Sequence, residues 1–162
     1  MKMHAISTGS VQITRNRRMG KGEGLHRMAN TFFDPELTEW LPIFCYILEH
    51  PEGLIVMDTG IPANANDPVF FPPWKVMQPA VMVLVQEDDH MVMLAGDASY
   101  SQDLLLAGAA DGIGPAPTAQ HETHRRILQF AARTPTVFLP AHEWNAEQRL
   151  AGRIHLMEGM HV

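Results

Sequence analysis

Residues 43–60, IFCYILEHPEGLIVMDTG, decide how this chain folds. Ile43 to Leu48 is an unbroken apolar run rich in β-branched and aromatic residues, and Pro51-Glu52-Gly53 is a turn. Leu54 to Met57 is a second apolar run, so the stretch predicts a buried hairpin that ends at Asp58-Thr59-Gly60. Upstream, Met3 to Ile13 alternates only partly and reads as an edge strand. The segment after it, with Arg15, Arg17, Arg18, Lys21 and Arg27 set among Gly20, Gly22 and Gly24, has no apolar period and reads as a solvated loop. Downstream, Ile61 to Pro79 includes Pro72-Pro73; proline cannot donate to a ladder or a helix, so this segment reads as a long loop.

Strand and helix signals alternate in the second half. Val81 to Val85 and Met91 to Ala95 flank Glu87-Asp88-Asp89 and predict a second hairpin, followed by Gly96-Asp97-Ala98-Ser99-Tyr100. Ser101 is placed to cap a short helix through Leu106, which Gly108 stops. Gly112 to Pro117 reads as a linker loop. Thr118 is expected to cap the longest helix, with Ile127, Leu128, Phe130 and Ala131 as its apolar face and Pro135 beyond its end. Thr136 to Leu139 is a short strand; Pro140 ends it, Ala141-His142-Glu143 follows, and Asn145 to Leu150 is helical. The readings together give an α+β chain of one domain.

Composition limits what such a domain does. With 162 residues, 46% hydrophobic and 19% charged, the chain has enough apolar surface for one core. The lone Cys45 excludes a disulfide framework and a cysteine zinc module, and reads as a buried small hydrophobe in a reducing compartment. No run reaches the roughly 18 apolar residues of a membrane span, and the N-terminus lacks a signal-peptide core, so a soluble, cytoplasmic protein is expected with no membrane partner. The net charge of -6 is uneven: residues 28 to 111 hold thirteen acids against Lys75 alone. That acidic middle repels phosphates, and the basic cluster lacks interleaved aromatics, which argues against nucleic acid as a partner.

Three strand ends finish on polar groups, Asp58, Asp97 and His142. Side chains shown at strand ends on a rigid scaffold are the usual construction of a catalytic or metal site, and carboxylate and imidazole are both suitable ligands for zinc. Each residue also has a plainer role open to it. Asp58 before Thr59-Gly60 fits a turn, Asp97 fits a helix cap, and His142 fits a cap or a core histidine. Among the other histidines, His121 and His124 lie one helical turn apart and read as a solvated helix face, and His90 after its acidic turn is expected to point to solvent. His4, His26, His50, His155 and His161 have no mechanistic context. Met77, Met82, Met91 and Met93 read as fillers of irregular core gaps.

The flanking residues single out one family. Ile55-Val56-Met57-Asp58-Thr59-Gly60, Leu94-Ala95-Gly96-Asp97-Ala98-Ser99-Tyr100 and Phe138-Leu139-Pro140-Ala141-His142-Glu143 stand in the order seen in the metallo-β-lactamase superfamily. With Tyr100 three residues after Asp97, the chain resembles the N-acyl homoserine lactonase branch. The resemblance implies an αββα sandwich and a site with two zinc ions. Asp97 would bridge the ions, His142 would ligate the second, and Tyr100 would be the catalytic phenol that hydrogen-bonds the lactone oxygen. Asp58 would be a buried organiser. The reaction implied is ring-opening hydrolysis of an N-acyl homoserine lactone, or of a related lactone or ester, with quorum quenching as its outcome.

The chain departs from that pattern where it matters most. The His-x-His-x-Asp-His segment and a further histidine are missing, and Gln78-Pro79-Ala80 runs almost directly into Val81. The expectation is therefore a reduced αββα sandwich, internally shortened near residues 78–81 and lacking part of its central strands and helices. A full zinc site binds with on the order of 10 kcal/mol, most of which goes with the missing ligands. Tight binding of two ions by an isolated chain is not expected, and hydrolysis is expected to be weak or absent. The alternative is a non-catalytic shortened homologue acting as a binding or assembly module. Exposed strand edges left by the shortening predict either a self-sufficient smaller sandwich or a homodimer.

Overall fold

The computed structural model describes residues 2–58, 82–112 and 117–158. Strand β1 (Lys2–Val11) lies antiparallel to β2 (Leu41–His50), which pairs with β3 (Gly53–Met57) through the expected turn. The first sheet has the order β1-β2-β3, so β1 is the edge strand its weak alternation suggests. The second sheet is β4 (Val83–Gln86), β5 (Met91–Gly96) and β6 (Thr136–Pro140) in that order, with β5 and β6 parallel.

The period of two along β5 and β6 sorts side chains to opposite faces. Val92, Leu94, Val137 and Leu139 pack on Phe44, Tyr46 and Leu48 of the first sheet, and Val85 joins them. Met93, Ala95 and Phe138 point the other way, onto Ile127, Ala131 and Leu105. The last three belong to α4 (Thr118–Ala131) and α3 (Gln102–Leu106), so the layers run sheet, sheet, helices. Helix α5 (Ala146–Gly152) closes the end of β6. Thr136 to Pro140 are all buried, which is why β6 reads as a continuous apolar run.

Both hairpins, the short capped helix, the long helix and the final strand fall where the sequence places them. Ser101 accepts the Leu104 amide at the start of α3, and Gly108 stops that helix with φ +64°. Cys45 is buried and unpaired, as expected. Other readings are corrected. The Arg/Gly segment is not a loop: α1 (Arg15–Arg18) and α2 (Gly24–Phe32) form within it. Nor is its charge wholly solvated. Arg27 is buried, and its guanidinium donates to the carbonyls of Gly22, Ala110 and Asp111. Backbone carbonyls receive the two terminal nitrogens of this cation where the one-dimensional pattern offers no partner, while its Nε is buried without one among the described residues.

The first hairpin is buried only on its β2 side, since Leu54, Ile55 and Val56 of β3 are exposed. Helix α4 takes Pro117 as its cap, not Thr118. His124 is only 2% exposed, not part of a solvated face, because its position on α4 turns it inward beside Ile127. His90 is also buried; Asp89, rather than water, receives its Nδ1–H at 2.7 Å. Of the methionines, Met93 fills the core but Met82 is exposed. The loop expected over Ile61 to Pro79, Met77 within it, and nearly all of the Gly112 to Pro117 linker lie outside the described residues.

Candidate functional site

Backbone hydrogen bonds at one end of the two sheets bring the strand ends together. The Ala141 amide donates to Gly96 O at 3.2 Å, the Phe44 amide to Ala141 O at 2.9 Å, and the Tyr46 hydroxyl to Pro140 O at 2.8 Å. Gly96 (φ +52°) turns β5 outward at a conformation open to glycine, which delivers Asp97 beside the segment that follows β6. Asp97 Oδ1 and His142 Nε2 are 3.0 Å apart. The Tyr100 ring stacks on His142 with centroids 5.3 Å apart and planes inclined by 29°. These three residues, drawn from separate segments, form one cluster.

Asp58 follows β3 in the left-handed region at φ +57° and is exposed, not buried. It still faces the cluster, because its negative charge acts on His142 and on Tyr46. An aspartate tolerates this backbone region better than most residues, in keeping with the turn-forming role.

His142 lies between two acceptors. Its Nδ1 lies 2.9 Å from Pro42 O and its Nε2 faces the Asp97 carboxylate. A carbonyl and a carboxylate only accept, so the arrangement favours the doubly protonated ring, which meets Asp97 as an ion pair. Burial, the largest influence on His142, pulls its pKa down; the hydrogen bond and charge of Asp97, the Pro42 carbonyl and the charge of Asp58 together carry it above the ordinary value. The His142 hydrogen bond in turn holds Asp97 below the usual carboxylate range, against its desolvation and with help from the charges of His142 and Arg17. Burial raises the Tyr100 phenol, opposed by Arg17.

Several supporting residues carry no signal in the sequence. Arg17, on α1, exerts its charge on both Asp97 and Tyr100 because Gly112 N bonds Arg17 O at 2.9 Å and draws α1 against the chain that follows α3. Glu143 and Arg149 form a nearly buried double ion pair at 2.7 and 2.9 Å, and Glu143 Oε2 also accepts the Gln102 amide at 3.1 Å. His124 Nε2 donates to Ala98 O at 2.8 Å, and Gln120 Nε2 donates to the same oxygen at 3.2 Å, which anchors the loop between Asp97 and Tyr100 on α4. His124 Nδ1 is buried without a partner among the described residues, and burial, the largest influence, lowers the pKa of that ring. The i, i+3 spacing of His121 and His124 hinted at a shared face, but the inward tilt of that face depends on tertiary packing.

Zinc in a catalytic site normally takes three protein ligands and keeps a fourth position open. The cluster offers Asp97 and His142, and the imidazole must give up a proton and a hydrogen bond before it can ligate. Among the described residues, no group of three or more His, Cys, Asp or Glu is placed to hold a metal ion. A complete zinc site of the implied kind does not fit the residues described. Unaided, the cluster presents a carboxylate, an imidazole held between two acceptors and a buried phenol.

No helix among the described residues is long and apolar enough to cross a membrane. No family model matches the sequence. Over 83 residues, half of this chain, it is 31% identical to the N-acyl homoserine lactonase of Bacillus thuringiensis. The same figures hold for the lactonase AiiA of Bacillus thuringiensis subsp. kurstaki and for the lactonase of subsp. indiana. The match spans about a third of those relatives, 32% of their length, so the chain is similar to part of an N-acyl homoserine lactonase.

Proposed function

We propose that this chain carries the carboxylate, imidazole and phenol portion of a lactonase-type hydrolase site, on a reduced αββα sandwich formed as a single shortened domain. The observation that carries this reading is the convergence of Asp97, His142 and Tyr100 at the ends of β5 and β6. The similarity to N-acyl homoserine lactonases supports the substrate class, a lactone or related ester. In this reading Tyr100 donates to the lactone, and Asp97 and His142 are the part of a zinc-ligand set that this chain carries without completing it.

As described, the residues hold a lactone rather than complete the machinery that opens one. The phenol of Tyr100 donates to a carbonyl or ring oxygen, His142 and Asp97 hold each other beside it, and Arg17 adds positive charge. Preorganised donors of this kind stabilise developing oxyanion charge, but a nucleophile also has to be generated. Too few ligands are placed for that task, so hydrolysis by the isolated chain is weak or absent.

The test is lactone hydrolysis by purified full-length chain, with and without zinc chloride, alongside metal stoichiometry. Asp97→Asn, His142→Ala and Tyr100→Phe should each remove any turnover and weaken lactone binding. Two firmly bound zinc ions with rapid turnover would overturn the low-activity reading. Turnover unchanged in all three variants would overturn the site itself. A binding or assembly module is the second reading, favoured by the closure of both His142 nitrogens; no turnover even with zinc is its signature, whereas weak turnover that the three substitutions remove marks the first.

A further inference from the structure

At the opposite end of the second sheet, two backbone bonds to neighbouring residues set a pair of imidazoles side by side. Met91 N donates to Pro135 O at 2.8 Å, which fixes His90 just before β5. Leu156 N donates to Thr136 O at 2.7 Å, which fixes His155 on the other flank of the start of β6. Arg153 makes that return possible, since its left-handed conformation (φ +51°) ends α5 and reverses the chain. The rings lie 5.8 Å apart between centroids, inclined by 39°.

The remaining bonds leave donors free for a ligand. Asp89 Oδ1 takes the Nδ1–H of His90 at 2.7 Å, while Glu87 N closes the turn on His90 O at 2.9 Å. A carboxylate accepts only, so Nδ1 carries the hydrogen, and the tautomer this selects has its lone pair on Nε2. No hydrogen bond occupies His90 Nε2 or either ring nitrogen of His155 among the described residues, although the His90 side chain is only 5% exposed. A carboxylate on one nitrogen with the other left as a lone pair is the usual outer arrangement of a metal-binding histidine. With metal–nitrogen bonds of about 2.0–2.1 Å, two imidazoles on one ion have centroids on the order of 5–6 Å apart.

We propose that His90 and His155 form a two-imidazole site for a borderline divalent ion such as zinc, oriented by Asp89 and completed by solvent. It has two protein ligands, consistent with the absence of any three-ligand group among the described residues. Its charge balance is mixed. Glu158 lies alongside, its Oε2 accepting the His155 amide at 3.2 Å, while the Arg153 guanidinium sits 3.8 Å from Asp89 Oδ2 and opposes a cation. The site is independent of the Asp97–His142 cluster and of any lactonase activity.

Calorimetric titration of the full chain with zinc chloride tests it, together with NMR of the histidine ring nitrogens. One zinc event should shift the His90 and His155 resonances. Asp89→Asn should weaken binding roughly 10–100-fold, the usual loss when an orienting partner is removed. His155→Gln should weaken it at least as much, and Arg153→Gln should strengthen it. The event should persist in the Asp97→Asn/His142→Ala double variant, which separates this site from the proposed lactone site. Should His155→Gln fail to fold, Asp89→Asn and Arg153→Gln still decide the matter. The proposal is overturned if wild-type chain shows no zinc event, if Asp89→Asn and Arg153→Gln bind as wild type does, or if the double variant loses the event.

Discussion

Replacing Arg149 by alanine is expected to cost about 3 to 4 kcal/mol of folding free energy, in the range for breaking a buried ion pair. The figure follows from what Glu143 loses. Two charge-assisted bonds of 2.7 and 2.9 Å disappear, leaving the carboxylate only the Gln102 amide at 3.1 Å. Bonds to charged groups are each worth about 1.5–3 kcal/mol, and the new cavity admits some water to offset part of the loss. The side chains are 9% and 10% exposed, so solvent screening is slight. A domain of this size has on the order of 5–15 kcal/mol in total, so the variant remains folded and measurable.

Urea denaturation followed by circular dichroism is the assay. With a slope of about 2 kcal/mol per molar, the midpoint falls by roughly 1.5–2 M. Glu143→Gln combined with Arg149→Met should recover most of that loss, because the amide still accepts from Gln102 and no charge is left buried alone. A midpoint shift below about 0.5 M in Arg149→Ala would refute the reasoning, by showing that the pair is screened or that the carboxylate finds another partner.

The Asp97–His142 pair gives a two-sided pH dependence. Asp97 is lowered from 3.8, so its contribution is present above that value and lost as pH falls through the lower folded pKa; His142 is raised from 6.5, so its contribution is present below that value and lost as pH rises through the higher folded one. Because the Asp97 side chain is 58% exposed, the stabilisation between those limits is about 0.5–1 kcal/mol, and Asp97→Asn should abolish the window in urea midpoints measured across pH. Tyr46→Phe leaves the buried Pro140 carbonyl without its 2.8 Å donor and should cost about 1–2 kcal/mol by the same assay. Gly112→Ala drives a methyl group into Asn16 O and should destabilise by about 1–3 kcal/mol, where a neutral result would show that the α1 contact yields. The uncharged edge strand Leu54-Ile55-Val56 is exposed and should pair between copies, so sedimentation should find a dimer that Val56→Lys weakens; a monodisperse monomer across concentrations would exclude it.

The parts of the fold legible in the sequence are those fixed by near neighbours. Gly53 and Gly108 punctuate, Ser101 caps, and the uniform apolar run at β6 marks a strand buried on both faces. Asp97, His142 and Tyr100 were legible as strand-end residues, since turn residues locate the ends. What stayed hidden depends on partners far along the chain. Arg27 is inside because carbonyls 83 and 84 residues away receive its guanidinium, and no local pattern encodes that. His124 looks like a surface residue until Ala98, 26 residues away, accepts its proton. The Arg/Gly segment fails as a loop assignment for the same reason, with α1 held by hydrogen bonds to Glu36 and Gly112 and α2 by its buried Arg27 and Thr31 rather than by an apolar stripe.

The bonds that hold the cluster together do not involve the side chains proposed to act. Gly96 O, Phe44 N, the Ala141 peptide and the Tyr46 hydroxyl set the distance between the ends of β5 and β6, and Glu143 with Arg149 locks the chain beyond. The scaffold therefore persists whether or not hydrolysis does, and the readings diverge at a single atom. While His142 Nε2 donates to Asp97, the imidazole is not free to ligate. Any metal entering there must displace a proton and break the 3.0 Å contact, so its affinity should rise with pH through the raised pKa of His142. Zinc affinity at this end that is flat across that range would mean the imidazolium–carboxylate pair is not the resting state, and the argument for weak activity would lose its footing.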